Sequence, residues 1–240
     1  MDKKNLEEIA DATEPRAGAG PLCTGALWEP LLAALADAAD MTVGDHTRHD
    51  TMGEIASSIL AKAPERFALA GLSMGGFIAV EMTRQAPERV TRLALLDTNV
   101  RPETPERSTQ RRALIALAER EGARKAQEQL LGVLIHKDRL ADKALVEAVL
   151  KMGEDTGTEA FKRQQAAIMG RPDNRPILGG IRVPTLVVVG REDALTPVEM
   201  SREIASGIPG ARLEIVPGCG HLSTMEQPEA VNRALRAWLG

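Results

Sequence analysis

The segment Gly71-Leu72-Ser73-Met74-Gly75-Gly76 sets a serine among glycines, directly after the apolar run FALAG and directly before a stretch of helical period that begins near Met74. A serine hydroxyl is barely nucleophilic near neutral pH, so chemistry there needs a neighbouring base and a turn that lifts the oxygen clear of the main chain. The glycines serve the second need, because a Cβ at those positions would collide across a turn with strained dihedrals. The helix that follows points its N-terminal N–H groups at the same place. The Met74 N–H is the natural first donor to negative charge developing on a substrate oxygen. By itself, Gly-Ser-Gly is also what an ordinary strand-to-helix turn looks like.

Two further segments supply what the serine lacks. The run TLVVV ends in Gly190-Arg191-Glu192-Asp193-Ala194-Leu195-Thr196-Pro197, which places a carboxylate just past the C-terminal edge of a strand. Ligand sites of open parallel sheets lie at that edge. The run LEIV is followed by Pro217-Gly218-Cys219-Gly220-His221-Leu222, an imidazole on a glycine-rich loop at the same edge. His221 is the candidate base and Asp193 the candidate acid that fixes its tautomer, in the chain order Ser, Asp, His. Asp97 also ends a strand and is a competing acid, though its local pattern suits a hydrogen-bond anchor better. Glu192 is expected to face solvent, and Cys219 to pack its loop as a small residue, lacking a nucleophile's strand-turn-helix setting. His46, His49 and Asp50 share one short loop, too little for a metal site without a further ligand cluster.

The elements that must position these residues follow from hydrophobic period. Apolar runs at 41–44, 67–71, 92–97, 185–190 and 212–216 read as strands, and segments 29–38, 52–62, 74–85, 197–206 and 228–239 carry helical spacing. The alternation predicts an α/β fold with a mostly parallel sheet flanked by helices. Between Asp97 and Pro184 only helical patterns occur, at 111–120, 125–135, 141–152 and 158–169, which predicts a helical cap over the strand ends. The expected domains are an atypical N-terminal segment at 1–21, an α/β core at 22–100 and 183–240, and a cap at 101–182.

Composition excludes several roles. The 240 residues are 43% hydrophobic and 27% charged, enough for a buried core and too mixed for disorder. A net charge of −4, with cations scattered beside acids, offers no face for nucleic acid. No run approaches a membrane span, and MDKKNLEEIA is too acidic for a signal peptide, so a cytoplasmic address is expected. Cys23 and Cys219 are the only cysteines and are read as free thiols. With three phenylalanines, two tryptophans and no tyrosine, a pocket would be lined mainly by aliphatic side chains and thioethers.

Taken together, WEPLLAAL, FALAGLSMGGFIAVEM, PERVTRLALLDT, GREDALTP and GCGHLSTMEQPEAV resemble the capped branch of the α/β-hydrolase superfamily, which includes carboxylesterases, lactonases and cofactor-free haloperoxidase-like enzymes. The resemblance runs from about Leu22 to the end. It implies Ser73, Asp193 and His221 as a triad, with the Met74 N–H as half of an oxyanion hole. The implied activity is hydrolysis of a small apolar carboxylic ester or lactone through an acyl-serine, with no metal or organic cofactor. The pattern fails at the N-terminus. The second oxyanion donor aligns with Pro21, which has no N–H, and would pass to Leu22. Residues 1–20 also hold no apolar run for the central strand that the resemblance requires, so the N-terminal strands are expected to be missing or degenerate. The alternatives are a ligand-binding homologue with a defective oxyanion hole and a cofactor-free haloperoxidase.

Overall fold

The computed structural model describes the backbone of residues 16–18 and residues 23–240. Six parallel strands form one sheet in the order β2-β1-β3-β4-β5-β6. They are β1 Arg16–Gly18, β2 Thr42–Val43, β3 Phe67–Leu72, β4 Val90–Leu96, β5 Thr185–Gly190 and β6 Arg212–Val216. Around them lie α1 Glu29–Leu35, α2 Met52–Leu60, α3 Met74–Gln85, α8 Val198–Gly207, the short α9 Ser223–Glu226 and α10 Pro228–Leu239. Between β4 and β5 stand α4 Pro105–Glu121, α5 Ala123–Leu134, α6 Lys143–Thr156 and α7 Thr158–Met169, with short 3-10 turns and no strand.

Strands buried on both faces explain the near-continuous apolar runs. Along β3, Ala68, Ala70 and Leu72 enter one core cluster while Phe67 and Leu69 enter another, and β4 divides Ala94 and Leu96 from Leu93 and Leu95 in the same way. The first cluster is closed by Leu31 and Leu35 of α1, by Val231 and Leu235 of α10, and by Leu134, Leu145 and Val149 of the inserted helices. The second is closed by Ile55, Ile78 and Ile204 from α2, α3 and α8. Each such aliphatic side chain contributes about 1.5–3 kcal/mol on burial. The inserted helices also hold a small core of their own around Ala118, Ala126 and Phe161.

The missing central strand is present but short. Arg16 pairs with both Thr42 and Leu69, Ala17 with Val43 and Ala70, and Gly18 with Gly71, so three residues bridge β2 and β3. Main-chain ladders on both sides satisfy this segment, which has no apolar run. The rest of the N-terminal segment, including Pro21 and Leu22, lies outside the described residues.

At two helices the start is set by a cap and departs from the hydrophobic period. The helix expected at 111–120 begins at Pro105, because the Arg107 N–H donates to Thr104 Oγ1 at 3.3 Å and proline fits the first helical position. The helix expected at 141–152 spans Lys143–Thr156, opened by the Leu145 N–H donating to Asp142 Oδ1 and closed by Gly157 at φ 74°. No helix among the described residues is long and apolar enough to cross a membrane.

Candidate active site

Strand order reverses about β1, with β2 on one side and β3 on the other, which opens a crevice at the strands' C-terminal ends. Ser73 follows β3 at that crevice with φ 56° and ψ −116°, a conformation that costs a non-glycine residue on the order of 1–3 kcal/mol. The surroundings enforce it. The Ser73 N–H donates to the Leu96 carbonyl at 2.9 Å, and the Ser73 carbonyl accepts from the Thr98 hydroxyl at 2.7 Å. A Cβ on Gly71 would run into the Gly75 carbonyl, so the strand and the first turn of α3 approach as closely as they do only with glycine there. Met74 is the first residue of α3, and its N–H has no carbonyl of its own helix to bond.

The three residues singled out from the sequence meet in one hydrogen-bonded row. Ser73 Oγ–H donates to His221 Nε2 at 2.8 Å, and His221 Nδ1–H donates to Asp193 Oδ2 at 2.8 Å. These partners assign the tautomer. The remaining acceptor sites of Asp193 are filled by the Leu195 N–H at 2.8 Å, the Thr196 N–H at 2.9 Å and the Thr196 hydroxyl at 2.6 Å. The His221 N–H donates to the carbonyl of Leu134 at the end of α5, which ties the imidazole loop to the inserted helices. A Cβ on Gly190 would strike the Gly220 carbonyl, so the acid and imidazole loops likewise touch through backbone.

Burial and charge oppose one another here. Burial disfavours the charged form of His221, but the carboxylate of Asp193, with Asp97 and Glu226 further off, outweighs it and raises the imidazole above its ordinary value. Burial pushes Asp193 up, and the attraction and hydrogen bond of His221 bring it below the usual carboxylate range. Asp97 takes the other course. It is fully buried at φ 43°, accepts from the Gly190 N–H at 2.9 Å and from the Ser223 N–H and hydroxyl, and is pushed up to about 7 by burial and then by Asp193. Its partners are those of an anchor linking β4, β5 and α9.

Other residues weighed from the sequence fall elsewhere. Glu192 is exposed, as expected, and its carboxylate also accepts the Cys219 N–H at 2.9 Å, capping the imidazole loop. Cys219 is buried, and burial followed by the charges of Asp97 and Glu226 pushes its thiol up. Cys23 is also buried, is not part of a disulfide, and lines the cavity beside Ser73. His46 is buried near the Gly44 carbonyl, whereas Asp50 is exposed. Among the described residues no three His, Cys, Asp or Glu side chains are grouped to hold a metal ion.

A cavity of about 280 Å³ opens over Ser73 and His221, between the strand ends and the inserted helices. Phe77, Leu114, Leu130, Phe161 and Ile168 give it an apolar body. Arg107, Gln110, Arg111 and Gln165 give it a polar wall that the aliphatic pocket read from composition did not include. Their signal in the sequence was slight, since cations on a helix of this charge density usually face water.

The geometry agrees with what the chain is similar to. A family model described as the alpha/beta hydrolase family matches residues 16–234. The 2-hydroxy-6-oxononadienedioate/2-hydroxy-6-oxononatrienedioate hydrolase of Cupriavidus pinatubonensis is 28% identical over 246 residues, covering 93% of this chain and 84% of its own length. The pimeloyl-[acyl-carrier protein] methyl ester esterase of Nitrosomonas europaea is 29% identical, covering 75% and 74%. Among solved structures, a thermophilic esterase from Thermogutta terrifontis, with malate bound, superposes with a TM-score of 0.87 at 28% identity, covering 95% of this chain and 89% of that one. A strained serine at a sheet's switch point, joined to an imidazole and a carboxylate, thus sits within a match spanning nearly the whole chain, and the chain belongs to the α/β-hydrolase family of hydrolytic enzymes.

Proposed function

We propose that the protein is a serine hydrolase that cleaves a small, largely apolar carboxylic ester or lactone through an acyl-Ser73 intermediate. The observation that carries this reading is the unbroken hydrogen-bonded row from Ser73 Oγ through His221 to Asp193, opening on a cavity with an apolar body. Ser73 Oγ attacks the ester carbon while its proton passes to His221 Nε2, and Asp193 steadies the imidazolium. The carbonyl oxygen becomes an oxyanion beneath the Met74 N–H, with the Leu22 N–H as the second donor. Collapse expels the alcohol, which takes the proton from His221. A water then attacks the acyl carbon, gives its proton to His221, and the acid leaves as Ser73 recovers its own. No cofactor enters these steps. Residues 101–182 serve as the cap that shapes the acyl site, and the cytoplasm is the proposed address.

Short-chain 4-nitrophenyl esters test the reading. Wild-type protein is expected to turn them over and to be labelled at Ser73 by a fluorophosphonate, and Ser73→Ala to lose both. Equal rates in the two proteins would reduce the chain to a ligand-binding member of its family, and peroxide-dependent halogenation without ester turnover would favour the haloperoxidase alternative.

A further inference from the structure

The polar wall of the cavity carries more positive charge than its neighbours neutralise. Glu103 lies in the loop between β4 and α4, and its side chain is 2% exposed. It accepts from Arg111 Nε at 2.5 Å and from Arg171 Nη1 at 2.9 Å, so one carboxylate serves two guanidinium groups. The rest of Arg171 is tied to the carbonyls of Arg101 and Ile168 and lies over the Phe77 ring at 4.6 Å. Arg111 also donates to Gln165 Oε1 at 2.8 Å.

Arg107 stands one helical turn before Arg111 and lines the same cavity as Ser73 and His221. Its side chain makes one hydrogen bond, to the Leu195 carbonyl at 3.2 Å, and no carboxylate among the described residues lies within ion-pair distance of it. The adjacent Glu106 is turned towards Thr104. Arg171 registers this excess: burial pulls it below its ordinary value, Glu103 opposes that, and repulsion from Arg111 and Arg107 adds to the burial. A half-buried guanidinium facing a largely apolar cavity, with four of its five N–H groups unassigned, is suited to a bidentate carboxylate.

We propose that Arg107 receives a carboxylate carried by the substrate, so that the ester this cavity selects is an anionic one, such as a half-ester of a short dicarboxylic acid. The proposal rests on the serine-hydrolase reading and specifies its substrate class. The apolar walls hold the chain between the two functional groups, Ser73 meets the ester carbonyl, and Arg107 holds the far end.

Two esters of equal acyl length read it out: mono-4-nitrophenyl glutarate, which ends in a carboxylate, and 4-nitrophenyl pentanoate, which ends in a methyl group. After subtraction of the uncatalysed rate, wild-type kcat/KM is expected to favour the glutarate ester by about 10- to 100-fold, the range of one charge-assisted contact. In Arg107→Met that ratio is expected to fall towards one, and in Arg107→Lys to stay between the two. A wild-type ratio at or below one overturns the proposal. So does an equal loss on both esters in Arg107→Met, which would make Arg107 a tether for Leu195. Calorimetric titration of Ser73→Ala with monomethyl glutarate and methyl pentanoate separates this proposal from the reading beneath it. Binding of the anion alone, weakened by Arg107→Met and by salt, would support the carboxylate site even if no ester were hydrolysed. Hydrolysis of both esters with no preference for the anion would leave the hydrolase reading standing and remove this one.

Discussion

At the strand ends of the cavity, carboxylates are surrounded by donors that belong mostly to the main chain; under the inserted helices, guanidinium groups outnumber the one carboxylate they share. Asp193 is fixed by two N–H groups and a hydroxyl besides His221, and Asp97 by two N–H groups and a hydroxyl. Arg107, Arg111 and Arg171 have Glu103 between them, and only two of the three reach it. The first region is preorganised by backbone that the sheet needs in any case. The second is built from side chains of a segment that the sheet does not need. Turnover is therefore expected to depend on the first region, and selectivity and the seating of the inserted helices on the second.

Substitutions that break this contrast can be ordered by expected effect. Asp193→Asn is the largest, a fall in kcat of roughly ten-thousand-fold as the tautomer of His221 is lost, with the thermal midpoint little changed. Steady-state kinetics on a nitrophenyl ester check it, and a near wild-type rate would pass the orienting role to Asp97. Glu103→Ala comes next. It strands two guanidinium groups, one of them buried to 2% side-chain exposure, and is expected to cost about 3–5 kcal/mol in urea unfolding. A cost below about 0.5 kcal/mol would mean that water reaches both arginines and that the two ends of the cavity do not differ as described.

Asp97→Asn is the smallest and sharpens the comparison within the first region. As the proposed base His221 must be neutral, and the Asp97 charge helps hold its proton. Removing that charge lets the neutral imidazole persist to lower pH, so the acid limb of the kcat/KM profile should move to lower pH. The movement is limited because Asp97, pushed up to about 7, is itself partly protonated near neutral pH and so carries only part of the charge that the substitution removes. A limb displaced to higher pH would contradict this sign.

Much of the site was legible because each of its residues ends a strand and opens a loop or helix of recognisable chemistry. Gly71 and Gly75 announced the serine turn, and the apolar runs before Asp193 and His221 fixed where those side chains would emerge. Helix starts depart from the hydrophobic repeat where a cap sets the boundary, six residues earlier at Thr104-Pro105 and two residues later at Asp142. β1 was invisible for a different reason. Its three residues are held by ladders to β2 and β3, and main-chain pairing leaves no mark in side-chain hydropathy.

The sequence by itself determined the layered α/β architecture, the helical insertion and the serine, acid and imidazole at three strand ends, because strand period and turn stereochemistry are local properties of the chain. The tertiary structure decided that Arg16–Gly18 completes the sheet, that Asp193 and not Asp97 bonds His221 Nδ1, and that Glu103 is shared by Arg111 and Arg171 while Arg107 is left facing the cavity. These depend on distance through space between residues far apart in the chain. Coulombic and hydrogen-bond energies follow that distance, and sequence separation does not report it.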